Sequence, residues 1–178
     1  MFDHRSVFEK YCKGSGLDLS LSFDMPPGYE TAYGTFDVTK KTVFFNAKML
    51  ENAPDFEKAF YLFHELRHAA QYLRPESFDD TLVKSLAYVI MYDGTCYKLT
   101  GGEYRECRLD GGEEYFTDIY LSQPYEADAN AFAYEQTKKL LGESEELREL
   151  YEFWLPKKPV PEETYKEIYA RIDEAIDE

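Results

Sequence analysis

His64-Glu65-Leu66-Arg67-His68 decides how this chain is read. The pattern is H-E-x-x-H. On a helix, two histidines four residues apart project to one side and can share a Zn²⁺ ion, with the adjacent glutamate as general base. The flanking sequence predicts that helix. Ala59, Phe63, Leu66, Ala70 and Leu73 are spaced by four, three, four and three, which makes one apolar stripe. Leu66 is two residues from each histidine and points away from them. The stripe should therefore pack into a core while His64, Glu65 and His68 face the other way. Pro54 and Asp55 suit the start of the helix, and Arg74-Pro75 its end. Alone, the pattern also arises by chance on surface helices, its histidines satisfied by neighbouring carboxylates.

A catalytic zinc takes three protein ligands and keeps one position open. The chain has three histidines, His4, His64 and His68. His4 lies sixty residues before the motif, near a terminus expected to be mobile. The third ligand is therefore expected to be a carboxylate, and Glu126 is the best candidate. It opens Glu126-Ala-Asp-Ala-Asn-Ala-Phe-Ala133 on a helix predicted from Tyr125 to Leu141, with Ser122 as cap, Pro124 in the first turn and Gly142 at the far end. Ala127, Ala129, Ala131 and Ala133 are small enough for close approach to the motif helix. Asn130 shares the face of Glu126 one turn on; it either bonds a ligating histidine from outside or only caps or packs. Asp128 projects roughly opposite, as a surface or outer carboxylate. Arg67 reads as an ion-paired or solvated arginine, or as a substrate contact. Tyr88, Tyr92, Tyr97, Tyr115 and Tyr120 include possible oxyanion donors, although most should be packing residues.

The rest of the chain sets the frame. Its 178 residues suit one domain, 1–178, with a core over about 29–141 and a C-terminal helical extension over 143–178. The net charge of −15 argues against direct contact with nucleic acid or an anionic membrane; it suits basic partners, or simply solubility. Cys12, Cys96 and Cys107 form no C-x-x-C pair, which argues against a disulfide framework or a thiolate metal site; Cys96 and Cys107, eleven apart across a predicted turn, either sit near each other or are ordinary buried thiols, the safer reading. Residues 1–10 hold no apolar leader and no run reaches membrane-spanning length, so a cytoplasmic protein is expected. A hairpin is predicted over 28–47, with strands at 29–36 and 42–45. A meander of three or four strands is predicted over 87–121, turning at Asp93-Gly94, Gly101-Gly102 and Gly111-Gly112. Further helices are expected at 2–13, 76–85, 144–154 and 162–176, the last with Tyr165, Ile168, Tyr169, Ile172 and Ile176 on one face. The class is α+β.

His64-Glu-Leu-Arg-His68 followed by Tyr125-Glu-Ala-Asp-Ala-Asn-Ala-Phe-Ala133 resembles the gluzincin metallopeptidases, most closely the small ImmA/IrrE-type members. The hairpin before the motif is similar as well. The resemblance covers residues 29–141. It implies a zincin-like single domain, in which the motif helix and the Glu126 helix pack with a small antiparallel sheet. It also implies Zn²⁺ held by His64, His68 and Glu126, with Glu65 as base. The expected function is a zinc metalloendopeptidase acting on an intracellular protein or peptide. The alternative is an acidic protein-interaction module with a structural or vestigial zinc site. A third expectation is a latent peptidase covered by the helix beyond Pro161.

Overall fold

The computed structural model describes residues 1–177. In chain order the elements are α1 (His4–Ser15), β1 (Ser20–Ser22), β2 (Gly34–Asp37), β3 (Thr42–Phe45), α2 (Asp55–Leu73), α3 (Asp80–Ser85), β4 (Tyr88–Ile90), β5 (Thr95–Thr100), β6 (Glu103–Arg108), α4 (Glu113–Ser122), α5 (Pro124–Leu141), α6 (Glu145–Phe153) and α7 (Glu162–Asp177). The class is α+β. The chain forms two compact units, one of Met1–Ser77 with Asp128–Phe153, the other of Phe78–Ala127 with the chain from Trp154 onward. The boundary falls inside α5, so that one unbroken helix belongs to both.

In the first unit, three short strands form a sheet in the order β1-β3-β2. The expected hairpin is present, with Gly34 opposite Phe45 and Asp37 opposite Thr42. Its first strand is shorter than expected. The Asn46 side chain donates to the carbonyls of Glu30 and Ala32 at 3.0 and 2.8 Å, which holds that stretch in turns. Strand β1 was not foreseen and pairs parallel to β3, so the sheet is mixed. The alternation of Leu17, Leu19, Leu21 and Phe23 was the available signal.

Helix α2 starts and stops where the sequence placed it, after Pro54 and at Arg74. Its burial goes well beyond one stripe. Ala59, Phe60, Leu62, Leu66 and Ala69 are all 0 % exposed, whereas Ala70 and Leu73 are only half-buried. The motif thus sits on a helix enclosed on most sides. Helix α6 closes on this unit through Leu147, and Ser144 caps it by accepting from the Leu147 N–H at 3.1 Å.

The second unit is built on the antiparallel sheet β4-β5-β6. The Asp93-Gly94 turn requires its glycine. Gly94 has φ +87°, and a Cβ there would lie 2.6 Å from the Leu109 carbonyl. The meander has three strands, the lower of the two numbers expected, and the segment 113–121 that offered a fourth is α4. Gly112 is extended, Glu113 and Glu114 sit at the positive end of the helix, and Phe116 and Ile119, three apart, are 0 % exposed. Ser122, expected to cap α5, is the last residue of α4. Helix α7 is core rather than an appendage. Tyr165, Ile168, Tyr169, Ile172 and Ile176 pack with Ile90, Cys96, Phe116 and Ile119. Burial, chiefly, pushes the Cys96 thiol up to about 12.

Ile172 is 0 % exposed within this cluster. Ile172→Ala is expected to cost about 2–5 kcal/mol, read as a lower urea midpoint. An unchanged midpoint would mean that α7 is not part of this core.

Candidate metal centre

One turn of α2 sets the site. A spacing of four brings the two imidazoles together edge to face, with ring centroids 4.5 Å apart. Their Nε2 atoms lie 3.0 Å apart. Two Zn–N bonds of about 2.0–2.1 Å at a tetrahedral angle span about 3.4 Å, so this pair is close to the geometry of two ligands on one ion. Glu126, on the first turn of α5, supplies the third donor. Ligand atoms of His64, His68 and Glu126 all lie within 4.8 Å of one another. His68 and Glu126 are each 8 % exposed. Two imidazole nitrogens and a carboxylate, with His68 and Glu126 buried, could together hold a metal ion.

The His68 ring is held from behind. Its Nδ1 lies 2.9 Å from Gln71 Oε1, and Gln71 Nε2 donates to Asp128 Oδ2 at 2.8 Å. Arg67 donates to both oxygens of the same carboxylate, Nε to Oδ2 at 2.7 Å and Nη2 to Oδ1 at 3.1 Å. Its guanidinium also lies over the Phe132 ring, 4.5 Å from the centroid. Arg67 is therefore ion-paired. Asp128, read from the sequence as facing roughly away, ties α5 to α2. Asn130 is buried on α5, but the group at His68 Nδ1 is Gln71. Gln71 is 0 % exposed, and the sequence reading missed it; its place three residues after His68, on the same helical face, was the clue.

Glu65 is also buried, at 8 % exposed, beside the glycine of β2. A Cβ on Gly34 would stand 2.8 Å from Glu65 Cγ and 2.9 Å from the Phe44 carbonyl oxygen. The missing side chain is what lets the strand close on this carboxylate. This glycine too went unremarked in the sequence.

His4 lies apart from the donor cluster. It is fixed on α1 rather than on a loose terminus: Asp3 caps that helix, and the ring packs 4.5 Å from Phe45 and 4.9 Å from Phe2. Burial, and then the charge of Lys58, hold its pKa below the usual histidine value. Among the tyrosines considered as oxyanion donors, Tyr88 is a packing residue, stacked on Tyr169 and donating to Asp173. Ala129 and Ala133 are fully buried on α5, whereas Ala127 is exposed.

Compared with protein-family models, with curated proteins and with solved structures, the chain matches none. Among the described residues no helix is long and apolar enough to cross a membrane.

Two predictions follow from this geometry. A divalent ion at a hundredfold excess over its dissociation constant should stabilise the protein by about 2.7 kcal/mol, seen as a rise in Tm on titration. In His68→Ala that rise should vanish; a rise of equal size would place the ion elsewhere. Gly34→Ala should lower stability by about 1–3 kcal/mol through overpacking. An unchanged denaturant midpoint would show that strand and carboxylate have room to spare.

Proposed function

We propose that this protein is a zinc-dependent peptidase of zincin-like fold, related to the gluzincins of the ImmA/IrrE type, that cleaves a protein or peptide. The observation that carries the reading is one arrangement. Three donor groups converge within 4.8 Å, and Glu65, next to one of them in the chain, is buried against an edge strand. A purely structural ion would need the donors but not the glutamate.

Bound zinc would supply Lewis-acid polarisation of a carbonyl and a water acidified toward a pKa of about 7. Everything else falls to the chain. Glu65 takes the proton from the attacking water and returns it to the leaving amine. Its burial keeps that carboxylate in a setting where proton transfer does not compete with bulk solvent. Strand β2 lies at the edge of its sheet, pairing only with β3 among the described residues. An extended substrate segment can add to that edge by main-chain hydrogen bonds beside Glu65. The surface charge of −15 favours basic segments in that role.

The same charge favours a second reading, in which the metal is structural or vestigial and the acidic surface captures a basic partner. Capture that weakens steeply with salt, together with no cleavage of any substrate, would favour it.

Glu65→Gln separates the two. It should retain the metal by elemental analysis and lose about 10²–10⁴-fold in hydrolysis of a protein panel. Cleavage at the wild-type rate would remove Glu65 from the chemistry. No cleavage by the metal-loaded wild type would remove the peptidase.

A further inference from the structure

We infer that Gln71, oriented by Asp128 and Arg67, is a positioning residue that fixes His68 in the Nδ1–H tautomer and so keeps the lone pair of Nε2 aimed at the metal position. The argument runs inward from the outermost group. Arg67 has only donors to offer, and its two nitrogens contact both oxygens of Asp128 at 2.7 and 3.1 Å. Asp128 is therefore an acceptor on both oxygens. The Gln71 atom 2.8 Å from Asp128 Oδ2 must then be the amide nitrogen, because the reverse orientation would press two acceptors together. Once the amide is oriented, its Oε1 faces His68 Nδ1 at 2.9 Å. A carbonyl oxygen only accepts, so Nδ1 carries the hydrogen. In a neutral imidazole the other nitrogen then holds the lone pair, and that nitrogen lies 3.0 Å from His64 Nε2.

The chain of contacts also sets the direction of the ring. Gln71 is fully buried, and Asp128 lies on a different helix, so the amide is fixed from two elements at once. The choice of an amide matters as well. A carboxylate at position 71 would place a full charge against the imidazole. The amide orients the ring, while the charge of Asp128 stays one group further out, already balanced by Arg67. The pattern H-E-L-R-H-x-x-Q is thus a single device: Arg67 and Gln71, four apart, grip one carboxylate of α5 and hold His68 between them.

The inference rests on the metal reading only for its effect on affinity, and the test has one arm that needs no metal. Long-range ¹H–¹⁵N correlation spectra of the metal-free wild type, recorded across a pH series, should show the neutral form of His68 as the Nδ1–H tautomer. An Nε2–H tautomer overturns the inference. The second arm measures the Zn²⁺ dissociation constant by competition with a chromophoric chelator. Gln71→Leu should weaken binding about 10–100-fold. Gln71→Glu should also weaken it, because two carboxylates then face each other. The double variant Gln71→Glu with Asp128→Asn removes the clash of carboxylates but turns the new amide nitrogen against Arg67 Nε, which shares that oxygen in the wild type, so it should bind more tightly than Gln71→Glu and less tightly than the wild type. Single variants that bind as tightly as the wild type, or a double variant no tighter than Gln71→Glu, would overturn the proposal. If the wild type binds no Zn²⁺, the metal reading fails, and the tautomer still decides the role of Gln71.

Discussion

A helix buried on most sides that carries two imidazoles and a carboxylate is the constraint on which the first unit depends. Removing polar groups from water costs free energy unless each finds a partner. Phe60, Leu62, Leu66 and Ala69 of α2 are fully buried, and the same turns hold Glu65, His68 and Gln71 at 8 % exposure or less. The surroundings answer group by group. Gln71 meets His68, Asp128 meets Gln71, and Arg67 meets Asp128. The two Nε2 atoms meet each other in a pairing that a shared cation would satisfy better than a single shared proton. An ion held by His64 and His68 would on that account stabilise the helix that carries them.

The second unit is organised by a different force. Its core is apolar and aromatic, with α7 laid against the sheet by Ile168 and Ile172, each at most 1 % exposed. Helix α5 begins there and continues into the first unit. Its opening turn carries Glu126 and its second carries Asp128 and Asn130. The helix is firmly begun. Gln123, 1 % exposed, donates to the Ile90 carbonyl at 3.2 Å and receives the Tyr125 hydroxyl at 3.0 Å, while its own carbonyl accepts the Ala127 N–H at 2.9 Å. Helical geometry alone then fixes the spacing of Glu126 and Asp128, one a donor to the candidate site and the other the anchor of Gln71.

What the sequence made legible was local. The ends of α2, the pairing of His64 with His68 and the buried face of α7 follow from spacings within a few turns, and Glu126, sought because the chain has too few histidines, lies close to both of them. The misses share a cause too: they need partners remote in the chain. Strand β1 exists because β3 pairs with it in parallel, a partnership that leaves no turn signature. The Gln71–Asp128 contact spans 57 residues, and a helical wheel drawn for α5 alone sends Asp128 away from Glu126 without revealing that two long side chains of α2 reach out to it. Segment 113–121 was misread for another reason. Its tyrosines, phenylalanine and isoleucine have high strand propensity, and packing of Phe116 and Ile119 on one helical face overrode it.

The contact between Gly34 and Glu65 shows what local rules leave out in a more consequential way. A glycine within a strand normally weakens it, by added chain entropy and by a missing packing surface. At this position the strand is extended and needs no special backbone angle. The glycine is required because of what lies across from it, with Glu65 Cγ 2.8 Å from where a Cβ would stand. The hairpin thus gives up strand stability in exchange for contact with the carboxylate. A glutamate with three free torsions on an open helix face would spread over many rotamers. Backbone closed against its stem removes most of them. The edge strand β2 thus sets its backbone directly against the stem of Glu65.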